Sequence, residues 1–554
     1  MNKLMKTLLG VLVLMTACGK TPEDAQPAVL DNPENLTVKS LGTTEVTLQW
    51  NPVAGAETYE WKVSAAAEIV ASGAGLKNRH VTVTDLTPGT AYVFGVRAVS
   101  ADAVSGWTSL DFTTEGKAPG PEDALLCVDA PLVVEVGAGA RLGTSGLIQV
   151  FRADGSLVDK IDLAHLAKVT VLEDGTMVPS AQMTGTATAH TFQDNLRCGT
   201  ASRAVHYTPL RLADGKLEIK LHSGVLGFGD SYYLTMDASV AGKAIGPEDM
   251  PFATKSSPSG ATLKVAADGS GDFCTVQGAL NHALSLGKDT AVTIEVGEGT
   301  YRELLFLQGK NNLTVRGVSR EKTVIAYPNS ELYWSGSDNR CLFLVKGCDN
   351  LVLENLTLEN TFYAADHKGQ AETIYFNSNY KLTVDSCALI SWQDTFLCKG
   401  EVWVHNSIIA GHCDYIWGYP KACLFEDCEI RSRAAGHIVQ ARVPDASYKG
   451  FVFLNCRLTA ESGVKDGSMY LARSGGDSSV YDNVTYVNCT MGLVIRPEGW
   501  LGSPAPTPAK PTATSGWKEY GTQGVSTASR NAFGKVLSAD EAAAFASRQA
   551  VLGW

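Results

Sequence analysis

Apolar and polar residues alternate with a period of two along much of this chain. Val46-Thr-Leu-Gln-Trp50 and Tyr59-Glu-Trp-Lys-Val63 are early runs, and Phe94, Val96 and Ala98 follow Leu86-Thr-Pro-Gly-Thr-Ala-Tyr92. Such alternation places successive side chains on opposite faces, so each run predicts a half-buried strand. Turn residues at close spacing between the runs predict a β-sandwich over 29–115. Gly116 to Glu122 reads as a linker. Alternation then resumes in Leu147-Ile-Gln-Val-Phe151, Leu217-Glu-Ile-Lys-Leu221 and Tyr232-Tyr-Leu-Thr-Met236, which predicts a second sandwich over 123–258.

From 261 to 554 the pattern changes. A phrase recurs: a polar turn-former, a small or apolar residue, any residue, then an aliphatic one. It reads Asn312-Leu-Thr-Val315, Asn355-Leu-Thr-Leu358, Ser386-Cys-Ala-Leu389 and Asn406-Ser-Ile-Ile409, then Asp427-Cys-Glu-Ile430, Asn455-Cys-Arg-Leu458 and Asn488-Cys-Thr-Met491. Its second positions fall at 313, 356, 387, 407, 428, 456 and 489. One short strand phrase per 20 to 43 residues indicates a solenoid. Strands this short and rich in Val, Ile and Phe predict a right-handed parallel β-helix, each rung stacking its inward side chains on the rung below. The whole chain is therefore all-β: two β-sandwiches followed by a β-helix.

The repeat bears on the cysteines. Of thirteen, ten lie after residue 270. Disulfides and metal ligation are both open readings for an exported protein. Yet Cys387, Cys428, Cys456 and Cys489 hold the same place in the phrase, which predicts a buried ladder of small apolar side chains. His405, His412 and Cys413 fit no zinc spacing, and no metal or other cofactor is expected.

Charge narrows the partners. The formal net charge is -12, and no Lys/Arg cluster suits phosphate neutralisation, so nucleic acid is not an expected partner. At the N-terminus, Lys3 and Lys6 precede an apolar stretch from Leu8 to Met15, too short to span a bilayer. Met15-Thr-Ala-Cys18 resembles a bacterial lipobox. That resemblance implies a signal peptide over 1–17, lipidation of Cys18, a tether over 18–28, and an exported lipoprotein of the bacterial outer membrane whose only membrane contact is the lipid.

Spacing also places the candidate chemistry. Asp394 and Asp414 are 20 residues apart, the same interval as positions 387 and 407, and Gln370 and Gln393 are 23 apart. Gln370, Gln393–Asp394 and Asp414 should thus sit on successive rungs, pointing outward side by side. Two carboxyl groups held together titrate apart, one charged and one protonated, which suits a nucleophile beside a general acid.

Residues 29–115 resemble a fibronectin type III module, with Trp50 as core tryptophan and Tyr92 as corner tyrosine; 123–258 is similar to bacterial immunoglobulin-like modules. Over 261–554 the chain carries, in order, Val265-Ala-Ala-Asp-Gly-Ser-Gly-Asp-Phe-Cys-Thr-Val276, Gly299-Thr-Tyr-Arg-Glu303, Gly369-Gln-Ala-Glu-Thr-Ile374, Gln393-Asp-Thr-Phe396, Gly411-His-Cys-Asp-Tyr-Ile-Trp-Gly418, Tyr470-Leu-Ala-Arg473, Arg496-Pro-Glu-Gly-Trp500 and Trp517-Lys-Glu-Tyr520. This series resembles the pectin methylesterases, whose block at the third motif reads Gln-Ala-Val-Ala-Leu. The resemblance implies hydrolysis of galacturonate methyl esters in a pectic polysaccharide. It implies Asp414 as nucleophile, Asp394 as general acid and then base, Gln393 and Gln370 as donors to the oxyanion, and Arg473 as the partner of Asp414. Trp417, Trp500 and Arg442 are candidates for sugar contact.

One departure stands out. The family continues past its arginine into Pro-Trp, an aromatic platform for sugar, where this chain has Ser474 and Gly475. This departure suggests a branched or otherwise unusual pectic region as substrate. An esterase of another acyl substrate and a non-catalytic polysaccharide-binding surface protein are the alternative readings. A pectin lyase or a polygalacturonase would share the β-helix but does not account for this Gln, Gln, Asp, Asp and Arg series.

Overall fold

The computed structural model describes residues 29–42, 44–66, 68–87, 90–114, 125–164, 169–171, 177–179, 192–207, 209–362 and 369–554. The signal peptide, Cys18, the tether and the linker 116–122 lie outside the described residues. The chain divides into two compact units, Met1–Gly120 and Pro121–Trp554. Among the described residues, no helix is long and apolar enough to cross a membrane.

The first unit is two antiparallel sheets. One orders Thr37–Leu41, Val46–Gln49 and His80–Val83; the other orders Glu68–Leu76, Thr58–Ala65, Ala91–Val99 and Thr108–Thr113. Their inward residues close on Trp50, which meets the Tyr59 ring edge-on at 5.3 Å. The Tyr92 ring is buried and its hydroxyl accepts from the Thr87 backbone N–H at 2.9 Å. Both aromatics occupy the core roles their sequence context predicts.

The second unit begins with two further small antiparallel sheets. Leu157–Asp162, Leu147–Arg152, Ser231–Met236 and Pro251–Ala253 form one; Leu210–Ala213, Lys216–Ile219 and Leu132–Glu135 form the other. Leu132, Val150, Leu217 and Leu234 are buried together between them. The hairpin Gln193–Cys198/Ala201–His206 behaves differently. Its Leu196, Cys198 and Val205 join the core of the following domain. Asp129, also from this middle region, accepts from the Cys274 and Thr275 backbone N–H groups at 3.0 and 2.8 Å. The middle region and the β-helix are therefore knit together, where sequence alone suggested separate modules.

From Thr262–Val265 to Gly534–Val536, 23 strands form one continuous parallel sheet that coils through the domain. Equivalent residues stack rung on rung, as in Leu313↔Leu351↔Leu382. Inside, Phe425, Phe453 and Tyr486 stack face to face at 4.8 and 4.5 Å. Each buried aromatic of this size contributes about 2–3 kcal/mol by removal of apolar surface from water. Helix Val276–Ser285 follows the first strand, with Thr275 accepting from the Gly278 N–H as its N-cap.

The repeated phrase has a conformational cause. Asn355, Ser386, Asn406, Asp427, Asn455 and Asn488 all lie in the left-handed region, with φ between 46° and 56°. Each opens the corner before a strand, and Asn and Asp tolerate that conformation better than most residues. The next residues, Cys387, Cys428, Cys456 and Cys489, are free and buried, as the ladder reading predicts. One assignment needs correcting. Asn312 precedes Leu313–Arg316, which pairs with the strand after Asn350, and the Asn350 amide donates to the Asn312 side chain at 3.0 Å. It belongs to a different corner, which recruits the same residue type because it needs the same backbone conformation.

Candidate active site

Five rungs present one outward column. Isolated parallel bridges join Gln370 to Gln393 and Gln393 to Cys413. Strand register continues it from Cys413 to His437 and from His437 to Tyr470. Asp394 and Asp414 each follow a column residue, and the Asp394 N–H donates to the Cys413 carbonyl at 3.0 Å. Adjacent rungs are about 4.8 Å apart, so the two aspartates are neighbours, as their spacing predicts. Both lie in the left-handed region, at φ 65° and 46°. This conformation turns each carboxyl off the ordinary alternation of its strand, at a backbone cost of order 1 kcal/mol.

Arg473 holds Asp414. Its Nε donates to both carboxylate oxygens, at 2.8 and 2.9 Å, and its Nη2 donates to Oδ2. This fork keeps Asp414 aimed and supplies its countercharge. His437 stands on the other side, with Nδ1 3.9 Å from Asp414 Oδ1. Burial lowers the His437 pKa below its ordinary value, which favours the neutral ring. Its imidazole stacks on Tyr470 at 5.9 Å.

Asp394 has a different environment. Gln370 Nε2 donates to Asp394 Oδ2 at 2.8 Å, and Arg340 Nη2 donates to the same oxygen at 3.2 Å. Arg340 also donates to Gln370 Oε1, which fixes the orientation of that amide. Its main partner is Glu372, reached by Nε at 2.9 Å to each oxygen and by Nη2 at 2.7 Å. Burial, then the Glu372 charge, raise the Asp394 carboxyl well above the usual carboxylate range; Arg340 opposes them and Asp414 adds to them. The arrangement thus favours a protonated Asp394 beside an Asp414 whose charge Arg473 balances. With Oδ2 accepting twice, the proton belongs on Oδ1.

The other candidates separate. The half-buried Gln393 amide has no hydrogen bond to the described residues, which leaves its N–H groups for a ligand. Gln370 is not equally free, because one of its N–H bonds serves Asp394. Trp500 is corrected to the core: it is buried and stacks on Trp517 at 5.4 Å. Trp417 lies beside the site but is also buried, with the Arg340 and Arg442 guanidiniums over its ring at 6.0 and 5.3 Å. It offers sugar an edge at most, not an open stacking face. Arg442 donates to Gln440 Oε1 at 2.8 Å and to the Tyr419 hydroxyl at 3.3 Å. Ser474 is buried and bonded to Asp482 at 2.9 Å, and a Cβ at Gly475 would lie 3.9 Å from Arg442 Nε. At the position where the family has its aromatic, this chain therefore has a glycine beside Gln440 and Arg442. Farther along the same strands, Tyr375, Asn379, Lys399, Tyr419 and Pro444 line an open cavity of about 390 Å³.

Arg340, Glu372 and His437 escaped the sequence reading. Cys413, Asp414 and His437 bring potential metal ligands within 4.8 Å of one another, but Arg473 already occupies both Asp414 oxygens with a fixed cation. His405 is not in that group and pairs with Asp385 at 2.8 Å.

The profile of the pectinesterases matches residues 262–553, more than half of the chain. The chain belongs to the pectinesterase family. It is a pectinesterase-family enzyme with a fibronectin type III domain, matched over residues 31–110, ahead of its β-helix. Pectinesterase 31 of Arabidopsis thaliana is 32% identical over 256 residues, covering 43% of this chain and 76% of that protein. The pectin methylesterase of Aspergillus niger, solved by crystallography, is 26% identical and covers 54% of this chain and 95% of its own, with a TM-score of 0.45. A pectin methylesterase crystallised with a hexasaccharide is 19% identical over 53% of this chain and 97% of its own, with a TM-score of 0.44.

Proposed function

We propose that this pectinesterase hydrolyses methyl esters of galacturonate in pectin, with Asp414 as nucleophile and Asp394 as general acid. The observation that carries the reading is the asymmetry of the pair: Arg473 forks onto Asp414, while burial and Glu372 favour a protonated Asp394. Asp414 attacks the ester carbonyl carbon, and Gln393 donates to the oxyanion that forms. One such donor is worth about 3 kcal/mol of barrier. As the C–OCH3 bond breaks, Asp394 Oδ1 gives its proton to the departing methanol. Water then attacks the acyl-enzyme, returns a proton to Asp394, and frees the uronate and Asp414. Every proton lost in the first half is recovered in the second.

The substrate is a pectic polysaccharide, and a complex or branched region is favoured over plain homogalacturonan. Ser474 and Gly475 in place of the family's Pro-Trp support this. Lys399, which lies about 6 Å from the Tyr375 and Tyr419 rings in the neighbouring cavity, suits free carboxylates along either kind of chain. Methanol release by the full chain tests both parts. Wild type should release methanol from esterified pectin and Asp414→Asn should reduce this by at least about 1,000-fold. Faster release from branched fragments than from homogalacturonan is expected; equal rates would remove the finer substrate, and no methanol from either would remove the reading.

The Met15-Thr-Ala-Cys18 ending supports display of the enzyme by a lipid on Cys18 at the bacterial outer membrane. Labelled palmitate should enter wild type and not Cys18→Ala; equal labelling of the two would dismiss the anchor.

A further inference from the structure

Arg340 and Glu372 form a buried ion pair against the candidate general acid. Glu372 stands where the family phrase has an apolar valine. A buried carboxylate and guanidinium cost several kcal/mol each to desolvate, so such a pair is not retained for stability alone without close compensation. Here the compensation is geometric. Arg340 spends three hydrogen bonds on Glu372 and one each on Gln370 and Asp394.

We propose that Arg340 and Glu372 are positioning residues: Arg340 fixes Gln370 and Asp394 Oδ2, and Glu372 cancels the charge of Arg340 so that Asp394 keeps the proton it must donate. This rests on the role assigned to Asp394 above. Arg340 alone would be the wrong neighbour for a general acid, because a cation within about 4–6 Å lowers a carboxyl pKa by about 1–3 units. With Glu372 taking three of its hydrogen bonds, the guanidinium orients Asp394 without ionising it. Because both donors meet Oδ2, the proton is confined to Oδ1.

The arm is also anchored from outside the β-helix. Arg340 ends the short turn Ser337–Arg340. Arg203, from the middle-region hairpin, donates to the flanking carbonyls of Asn339 and Cys341 at 3.0 and 2.5 Å, and to Leu305 at 2.8 Å. The middle region thereby holds the backbone on either side of Arg340. Asp394 is faced by Gln370 and Glu372 from the preceding rung, by Arg340 from this turn, by Glu331 (3.7 Å from Arg340), and by Cys413, Asp414 and Arg473 from the following rungs. Of these, only Glu372 offsets Arg340 through a bidentate contact.

The test is the pH profile of methanol release by the full chain. Glu372→Gln leaves Arg340 uncompensated, so Asp394 should ionise earlier and the high-pH limb of kcat should move down by about one unit or more. The paired change Arg340→Met with Glu372→Val, which restores the family residue and removes both charges, should return the limb toward its wild-type position. Loss of activity in Glu372→Gln with the limb unmoved would make the pair merely structural and overturn the proposal, as would a shift to higher pH. A second readout does not need turnover. The infrared band of a protonated carboxyl that disappears in Asp394→Asn should titrate at lower pH in Glu372→Gln; an unchanged titration refutes the proposal. If wild type released no methanol while the band shifted as expected, the substrate reading would fail and the charge balance would stand.

Discussion

At the scale of single residues, the two aspartates differ by what is bound to them. Asp414 receives a planar fork from Arg473, which a lysine cannot reproduce because an ammonium is a point donor. Arg473→Lys keeps the charge and loses the aim. A misplacement of about 1 Å costs on the order of 100-fold in rate, so kcat should fall by about that factor with little change in KM. Steady-state methanol assays of the purified variant check this, and a kcat within threefold of wild type would show that charge alone suffices. The adjacency of the two aspartates was legible in their 20-residue interval, and Arg473 only in the family phrase Tyr470-Leu-Ala-Arg473. Arg340 was not. It is 54 residues before Asp394, in a four-residue turn with no periodicity to reveal it. A signal existed in Glu372: a charged residue at an inward-reading valine position demands a partner. His437 was also within reach, since 24 residues from Cys413 is one rung.

At the scale of elements, the corner residue sets the repeat. Asn455 is exposed, at φ 56°, and its side chain makes no hydrogen bond among the described residues, so its conformational role can be isolated. Asn455→Ala should destabilise the protein by about 1 kcal/mol, whereas Asn455→Gly should lie within about 0.5 kcal/mol of wild type. Chemical denaturation of the two variants checks the difference; equal losses would show that the side chain, not the backbone angle, matters. The same logic explains what the phrase could and could not convey. It identified corners, because residue type follows φ. It could not say which corner, so Asn312 entered the wrong column. Strand burial was equally blind to Trp500, whose phrase matches the family while its ring stacks inside on Trp517.

At the scale of the whole molecule, the sequence suggested three independent modules, and the structure divides the chain into two units. The reason is that alternation reports which face of a strand is buried, not what buries it. Leu196 and Val205 alternate like sandwich residues but pack into the β-helix core, and Asp129 satisfies the backbone N–H groups of Cys274 and Thr275 just ahead of the first β-helix helix. Removing the middle region would uncover that apolar surface and take Asp129 from the Cys274 and Thr275 N–H groups, whereas residues 29–114 carry their own closed core around Trp50 and Tyr59. Two truncations separate these situations. A chain starting at residue 121 should fold and release methanol with kcat/KM within about twofold of the full chain on soluble oligosaccharides, since its core is intact. A chain starting at 261 should be insoluble or lose its cooperative thermal transition, because exposed core surface drives aggregation. Comparable activity from the shorter chain would mean that the middle region is a spacer after all, and that the hairpin carrying Arg203 contributes nothing the β-helix cannot supply for itself.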